Sequence, residues 1–155
     1  MPRVKEILDT MDYGPAPEAN GHITDWLKAN ENGFGHFING NFVAPQDSKY
    51  FDVVNPATGS KLARASLGSS ADIHAAVKSA RKAFGPWSKL SGHARATHLY
   101  AIARLIQKRE RFLSVLETMD NGKPIRESRD IDIPLVARHF YHHACLLYTS
   151  PSPRD

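Results

Sequence analysis

Apolar residues change their spacing twice along this chain. Before residue 33 they are sparse: Ile7 and Met11, then Ile23, Trp26 and Leu27, on either side of the stop YGPAPE at 13–18. Spacings of three and four predict two short helices in an N-terminal arm, residues 1–33. The stretch HFINGNFV at 36–43 alternates instead, around Asn39-Gly40. A type I′ turn needs positive φ at both central positions, which Asn and Gly tolerate, so a β-hairpin is predicted. YFDVVNP at 50–56 and KLARASLG at 61–68 predict two more strands, joined by the turn NPATG. A few short strands are marginal alone in water, so helices have to cover them.

From Ser69 onward the period is helical. Ile73, Ala76, Val77, Ala80 and Phe84 share a face. Ser70 is the expected cap, and Gly85-Pro86 the expected end. A second helix is expected from about Ala94, with Leu99, Ile102, Ala103 and Ile106 on one side. KRER at 108–111 marks a break, after which Phe112, Leu113, Leu116 and Met119 resume the stripe. Asn121-Gly122 is a common helix stop. A last helix carries Ile131, Leu135, Val136, Phe140 and Tyr141, with Pro134 expected at its start. Residues 146–155, LLYTSPSPRD, are expected to lose helical form, because two X-Pro steps favour extended backbone.

Composition adds limits. With 155 residues, 41% hydrophobic and 23% charged, the chain is long enough for one domain with its own core. No apolar run reaches the roughly 20 residues of a membrane span, and no secretory leader pattern opens the chain. A single cysteine excludes an internal disulfide, which makes a cytoplasmic location the expectation. The net charge of +4 invites a nucleic-acid reading, but the basic residues are spread out and KRER contains its own Glu110. A solvated helix face explains that run, and neither nucleic acid nor membrane is an expected partner.

Three features raise the question of chemistry. His139 and His142, with His143 beside them, stand three apart, as a metal pair on one helix face would. Amphipathic histidines on a helix flank are the simpler reading. Cys145 has histidines nearby, but a nucleophile also needs an orienting group and an oxyanion site. Gly33-Phe34-Gly35 precedes a strand rather than linking strand to helix, so it fails the structural test for a dinucleotide cradle. No catalytic and no cofactor-binding residue is assigned.

Four motifs in order carry a family resemblance: FINGNFV, VVNPATG, ADIHAAVKSARKAF with Trp87, and LETMDNGKP at 116–124. Together they resemble the N-terminal part of the NAD(P)-dependent aldehyde dehydrogenases over residues 34–144. The leader DYGPAPE at 12–18 is similar to the branch numbered family sixteen. The resemblance implies an α/β fold: an N-terminal β-hairpin plus outer helices of the cofactor-binding domain, incomplete in this chain. It implies a homo-oligomeric parent that oxidises an aldehyde to an acid with NAD or NADP. There a cysteine thiolate attacks the aldehyde, hydride leaves to the nicotinamide, and a glutamate-activated water hydrolyses the thioester. Those residues would lie downstream of the match, so the chain as written is expected to be inactive and to bind no cofactor.

The resemblance also implies a monovalent cation between Asp120 and the backbone carbonyls of Val53 and Val54. A helix-end carboxylate is the competing reading of Asp120. After Ala144 the text departs from the family, and residues 145–155 resemble translated adaptor sequence. Cys145 is therefore read as a junction residue of an unrelated tail. The rival function is a non-catalytic helical interaction module or pseudo-enzyme piece, with a basic nucleic-acid binder behind it. The apolar stripes of the helices are patterned for a sheet outside this chain, so exposed apolar surface is expected.

Overall fold

The computed structural model describes residues 19–149. The expected helix around Ile7 and Met11, the DYGPAPE leader and residues 150–155 lie outside the described residues. The elements are α1 (Gly21–Ala29), β1 (His36–Ile38), β2 (Asn41–Val43), β3 (Tyr50–Val54), β4 (Lys61–Ser66), α2 (Ser70–Ser88), α3 (Gly92–Lys108), α4 (Glu110–Asn121), α5 (Ile125–Glu127), a wide π-type turn (Ser128–Asp132) and α6 (Ile133–Thr149). The class is α/β, as expected.

The strands form two separate antiparallel pairs. β1 and β2 match Phe37 with Phe42 across the hairpin, and Asn39 and Gly40 carry the expected positive φ of 55° and 80°. β3 and β4 pair Tyr50 with Ser66 through Val54 with Lys61. Phe34 bridges to this second pair, donating to Arg64 O at 2.8 Å and accepting from Ser66 N at 2.9 Å. Trp26 of α1 stacks on Phe34 at 5.0 Å and meets Phe112 of α4 edge-on at 5.3 Å. Ile23 is fully buried, so the arm's second helix is docked on the domain.

Helix α2 is capped by Ser69, not by Ser70. Ser69 Oγ accepts from Asp72 N, and the Asp72 carboxylate reaches back to Ser69 N at 2.9 Å, a reciprocal capping box. Asp72, 4% exposed, also accepts from Gln46 N at 3.1 Å and lies 3.7 Å from His36 Nε2. His36 Nδ1 in turn is 3.0 Å from Ser66 Oγ. One carboxylate thus ties hairpin, second strand pair and helix start together. At its far end α2 runs through Gly85-Pro86 to Ser88. Pro86 lies two residues before that end, so the bond it removes and the clash of its ring disturb only the end of the helix. The ring of Trp87 packs 5.4 Å from His98 and holds that last turn.

α3 starts at Gly92, capped by Ser91, and breaks at Arg109 as KRER predicted. α3 and α6 pack together through small residues. Ala96 and Ala103 on one helix and Ala137 and Ala144 on the other are buried, each pair seven residues apart. A Cβ at Gly92 would lie 2.2 Å from Leu147 O, so the backbones nearly touch there. This pairing carries α6 through Thr149, and the expectation that helix is lost from Leu146 is corrected. The X-Pro bias acts only on a residue directly before a proline, and none of residues 146–149 is in that position. Pro134 is the second residue of α6, in its first turn as expected. It follows the π-type turn, in which Ile133 N bonds Ser128 O. That wider turn relieves the clash a proline ring makes one helical turn back.

The large apolar side chains largely face outward. Ile73 is 61% and Phe84 68% exposed on α2, and Leu105 and Ile131 are each 57% exposed. The expected exposed apolar faces are present.

The Asp72 carboxyl is held below its ordinary value of 3.8, first by the Ser69 N–H and hydroxyl, then by the Gln46 N–H and His36, against the opposing effect of burial. A carboxyl depressed on folding contributes stability that is complete above 3.8 and lost as pH falls through its lowered folded value. Asp72→Asn should therefore destabilise the chain at neutral pH, with a penalty that shrinks below pH 3.8. Denaturant unfolding at a series of pH values measures this; a penalty constant down to pH ~2 would remove the charge from the account.

Candidate functional site

The end of α4 is brought to the end of β3 by one glycine. Gly122, at φ 80°, closes α4 by donating to Thr118 O at 3.0 Å. A Cβ there would lie 2.7 Å from Pro56 Cγ, so only glycine lets the β3–β4 turn seat against the helix end. Between them opens a cleft of about 360 Å³, with Val53 on one wall and Glu117 and Asp120 on the other. Trp26, Phe34 and Leu116 are among its apolar walls. Glu117 Oε1 accepts from Asn121 Nδ2 at 3.2 Å.

The pairing of β3 with β4 is irregular here. Val53 faces Ala63 and Val54 faces Lys61, leaving Leu62 unmatched as a bulge. Of the three residues picked from sequence for a cation, Asp120 and Val53 therefore share the cleft. Val54 is not among its walls, and its side chain is 46% exposed. Two carboxylates above an apolar floor attract positive charge, while the walls hold no thiol, hydroxyl or imidazole for covalent chemistry. Below the cleft, Thr118 Oγ1 donates to the buried Ser128 Oγ at 3.0 Å, tying α4 to the π-type turn. Lys123 pairs with Asp132, whose carboxylate pushes the ammonium above its ordinary value.

The remaining sequence candidates lie elsewhere. His142 and His143 are exposed, with perpendicular rings 5.5 Å apart. Among the described residues no group of three His, Cys, Asp or Glu side chains is placed to hold a metal. Cys145 is exposed on α6, its sulfur 3.4 Å from Tyr100 Oη. That sulfur pushes the phenol above its ordinary value. Gly33 and Gly35 serve packing rather than a cradle. Added Cβ atoms would meet the Tyr50 ring at 3.1 Å and Val43 O at 2.5 Å. Neither glycine leaves open space beside its backbone for a phosphate.

Sequence reasoning missed the Asp72 hub, although its signal, Ser-x-x-Asp at 69–72, stood in plain text. It also missed a larger basic cleft at the KRER break, taken up below.

Comparison with known proteins gives one answer. A model described as the aldehyde dehydrogenase family matches residues 42–150. Among solved structures, the NAD+ complex of an aldehyde dehydrogenase from Bacillus cereus is 36% identical at TM-score 0.76, covering 81% of this chain and 26% of that one. HpcC from Thermus thermophilus is 30% identical at TM-score 0.75, covering 80% of this chain and 24% of its own. An NAD-dependent aldehyde dehydrogenase from Sinorhizobium meliloti is 30% identical at TM-score 0.70, covering 73% and 23%. The chain spans about a quarter of the length of the solved chains it matches.

The Gly122–Pro56 contact can be tested directly. Gly122→Ala places a methyl in left-handed backbone and against Pro56, and should cost about 1–3 kcal/mol. In the double variant with Pro56→Ala the clash is relieved and only the backbone strain is left, so the loss should shrink. Equal losses in denaturant melts of single and double variants would contradict the close-approach account.

Proposed function

This chain belongs to the aldehyde dehydrogenase family, and from that premise we propose that it is the N-terminal part of an enzyme that oxidises an aldehyde to a carboxylic acid with NAD or NADP. The observation that carries the reading is the pairing of a family match over residues 42–150 with coverage of only about a quarter of the solved relatives. The outward apolar face of α2 supports it, since such a face suits a helix that covers a sheet contributed by further chain. In this reading the parent is a cytoplasmic homo-oligomer. Assignment to the family-sixteen branch rests on DYGPAPE at 12–18 and stays part of the proposal. The boundary after Ala144 also belongs to it, with Cys145 outside the family's chemistry.

In this reading the 155-residue chain turns over no aldehyde and binds no dinucleotide, because neither a cradle nor a supported nucleophile is assigned in it. Incubating the purified chain with a simple aldehyde and NAD should give no absorbance rise at the nicotinamide wavelength. Turnover abolished by Cys145→Ser would overturn the proposal and restore Cys145 as a nucleophile.

For the cleft, we propose that Asp120 and the carbonyls of Val53 and Val54 hold a monovalent cation in the parent enzyme. The shared cleft of Asp120 and Val53, and the bulge that interrupts pairing at Val53–Val54, support this. In the full-length protein, Asp120→Ala should abolish any stabilisation by potassium or sodium and leave the melting point in choline salt nearly unchanged. An equal loss in all salts would instead make Asp120 a helix-end carboxylate.

A further inference from the structure

The break at KRER has no role in the dehydrogenase reading, yet it shapes a larger cleft in the molecule, about 850 Å³. That volume is within the range of small-molecule pockets. Arg109 is where the helix stops and restarts: at φ −109° and ψ 17° it ends α3 and precedes α4. On an unbroken helix Arg109 would point about 100° away from Lys108. With the break, Lys108, Arg109 and Arg111 line one cleft, joined by Arg129 from the π-type turn and His22 from α1. Separate elements therefore converge their cations on one place, which a solvated face does not require.

The acidic residues in the walls do not cancel this charge. Glu110 and Asp130 stand against four Lys and Arg, a net of two positive charges with His22 neutral. Asp130 is also gripped by Arg129, whose Nε and Nη2 donate at 2.6 and 3.0 Å, so its charge is answered within that pair. A phosphate monoester carries about −1.5 to −2 at neutral pH, and guanidinium forks match its oxygens. Phe112 gives the cleft an apolar wall, with the His22 ring 5.9 Å from its own.

We propose that the cleft at the α3–α4 break binds a small soluble phosphate monoester through Lys108, Arg109 and Arg111. The site is distinct from the Asp120 cleft and needs no residue of the proposed dehydrogenase chemistry.

The test is isothermal titration of the 155-residue chain with inorganic phosphate and with glycerol phosphate, at ionic strength fixed with chloride. Saturable binding at one site per chain is expected. The double variant Arg109→Gln, Arg111→Gln should weaken it at least about tenfold, with its far-UV circular dichroism unchanged. The control double variant Lys78→Gln, Lys82→Gln, on α2 and outside the cleft, should bind as the parent sequence does. Absence of saturation, or equal losses in the two double variants, would overturn the proposal. Displacement of phosphate by duplex DNA at far lower concentration than any monoester would also overturn it, in favour of a nucleic-acid backbone.

Discussion

Helices α3 and α6 meet through alanines, and that choice of side chain decides where the rest of the chain can go. Ala96 and Ala103 face Ala137 and Ala144 across a seam narrow enough for Gly92 to touch the Leu147 carbonyl. Alanine loses no side-chain entropy on burial, and a seven-residue repeat keeps the small residues in register along both helices. Beside the alanines, Tyr100 and Tyr141 meet across the pair with ring centroids 5.6 Å apart, and Tyr141 Oη donates to Gln107 Oε1 at 2.8 Å. Ile102, Leu105, Leu135 and Val136 are turned outward, and α2 adds its own exposed stripe. The pair is a close-packed support whose outer faces are apolar.

Much of this architecture was legible because local chemistry determined it. Asn39-Gly40 admits one kind of tight turn, Gly122 ends a helix by its positive φ, and KRER interrupts a stripe that resumes at Phe112. Other features depended on partners distant in sequence. The face expected on α3 was Leu99, Ile102, Ala103 and Ile106, of which Ala103 is fully buried while Ile102 is 38% exposed, because periodicity identifies a face without identifying its neighbour. Pro134 was legible as the start of α6, but the π-type turn that precedes it has no signature in the text. Gly85-Pro86 looked like a stop because the support from Trp87 and His98 comes from the next helix.

The candidate sites show the same division. Asp120 and Val53 were chosen by resemblance, and the Gly122–Pro56 approach puts them on one cleft. Composition could not show that α1 would close the cleft with Trp26, nor that Leu62 would bulge beside Val53. The basic cleft was hidden because counting charges along KRER treats the run as a line, whereas the break folds it around a corner. The Asp72 hub lay in a readable capping pattern, but its reach to Gln46 and His36 spans 26 and 36 residues of chain.

The open stripe on α2 has a meaning in time as well as in space. A segment that heads a longer protein leaves the ribosome first, and chains grow at about 5–20 residues per second. Were the rest of a parent some three times as long as this chain, its synthesis would last tens of seconds. Through that interval Ile73, Val77 and Phe84, exposed in this chain, would stay uncovered. The α3–α6 seam, made wholly within the first 149 residues, can close at once. In such a parent the fold would divide into contacts that close early on the newborn chain and apolar surfaces that would wait for later strands to cover them.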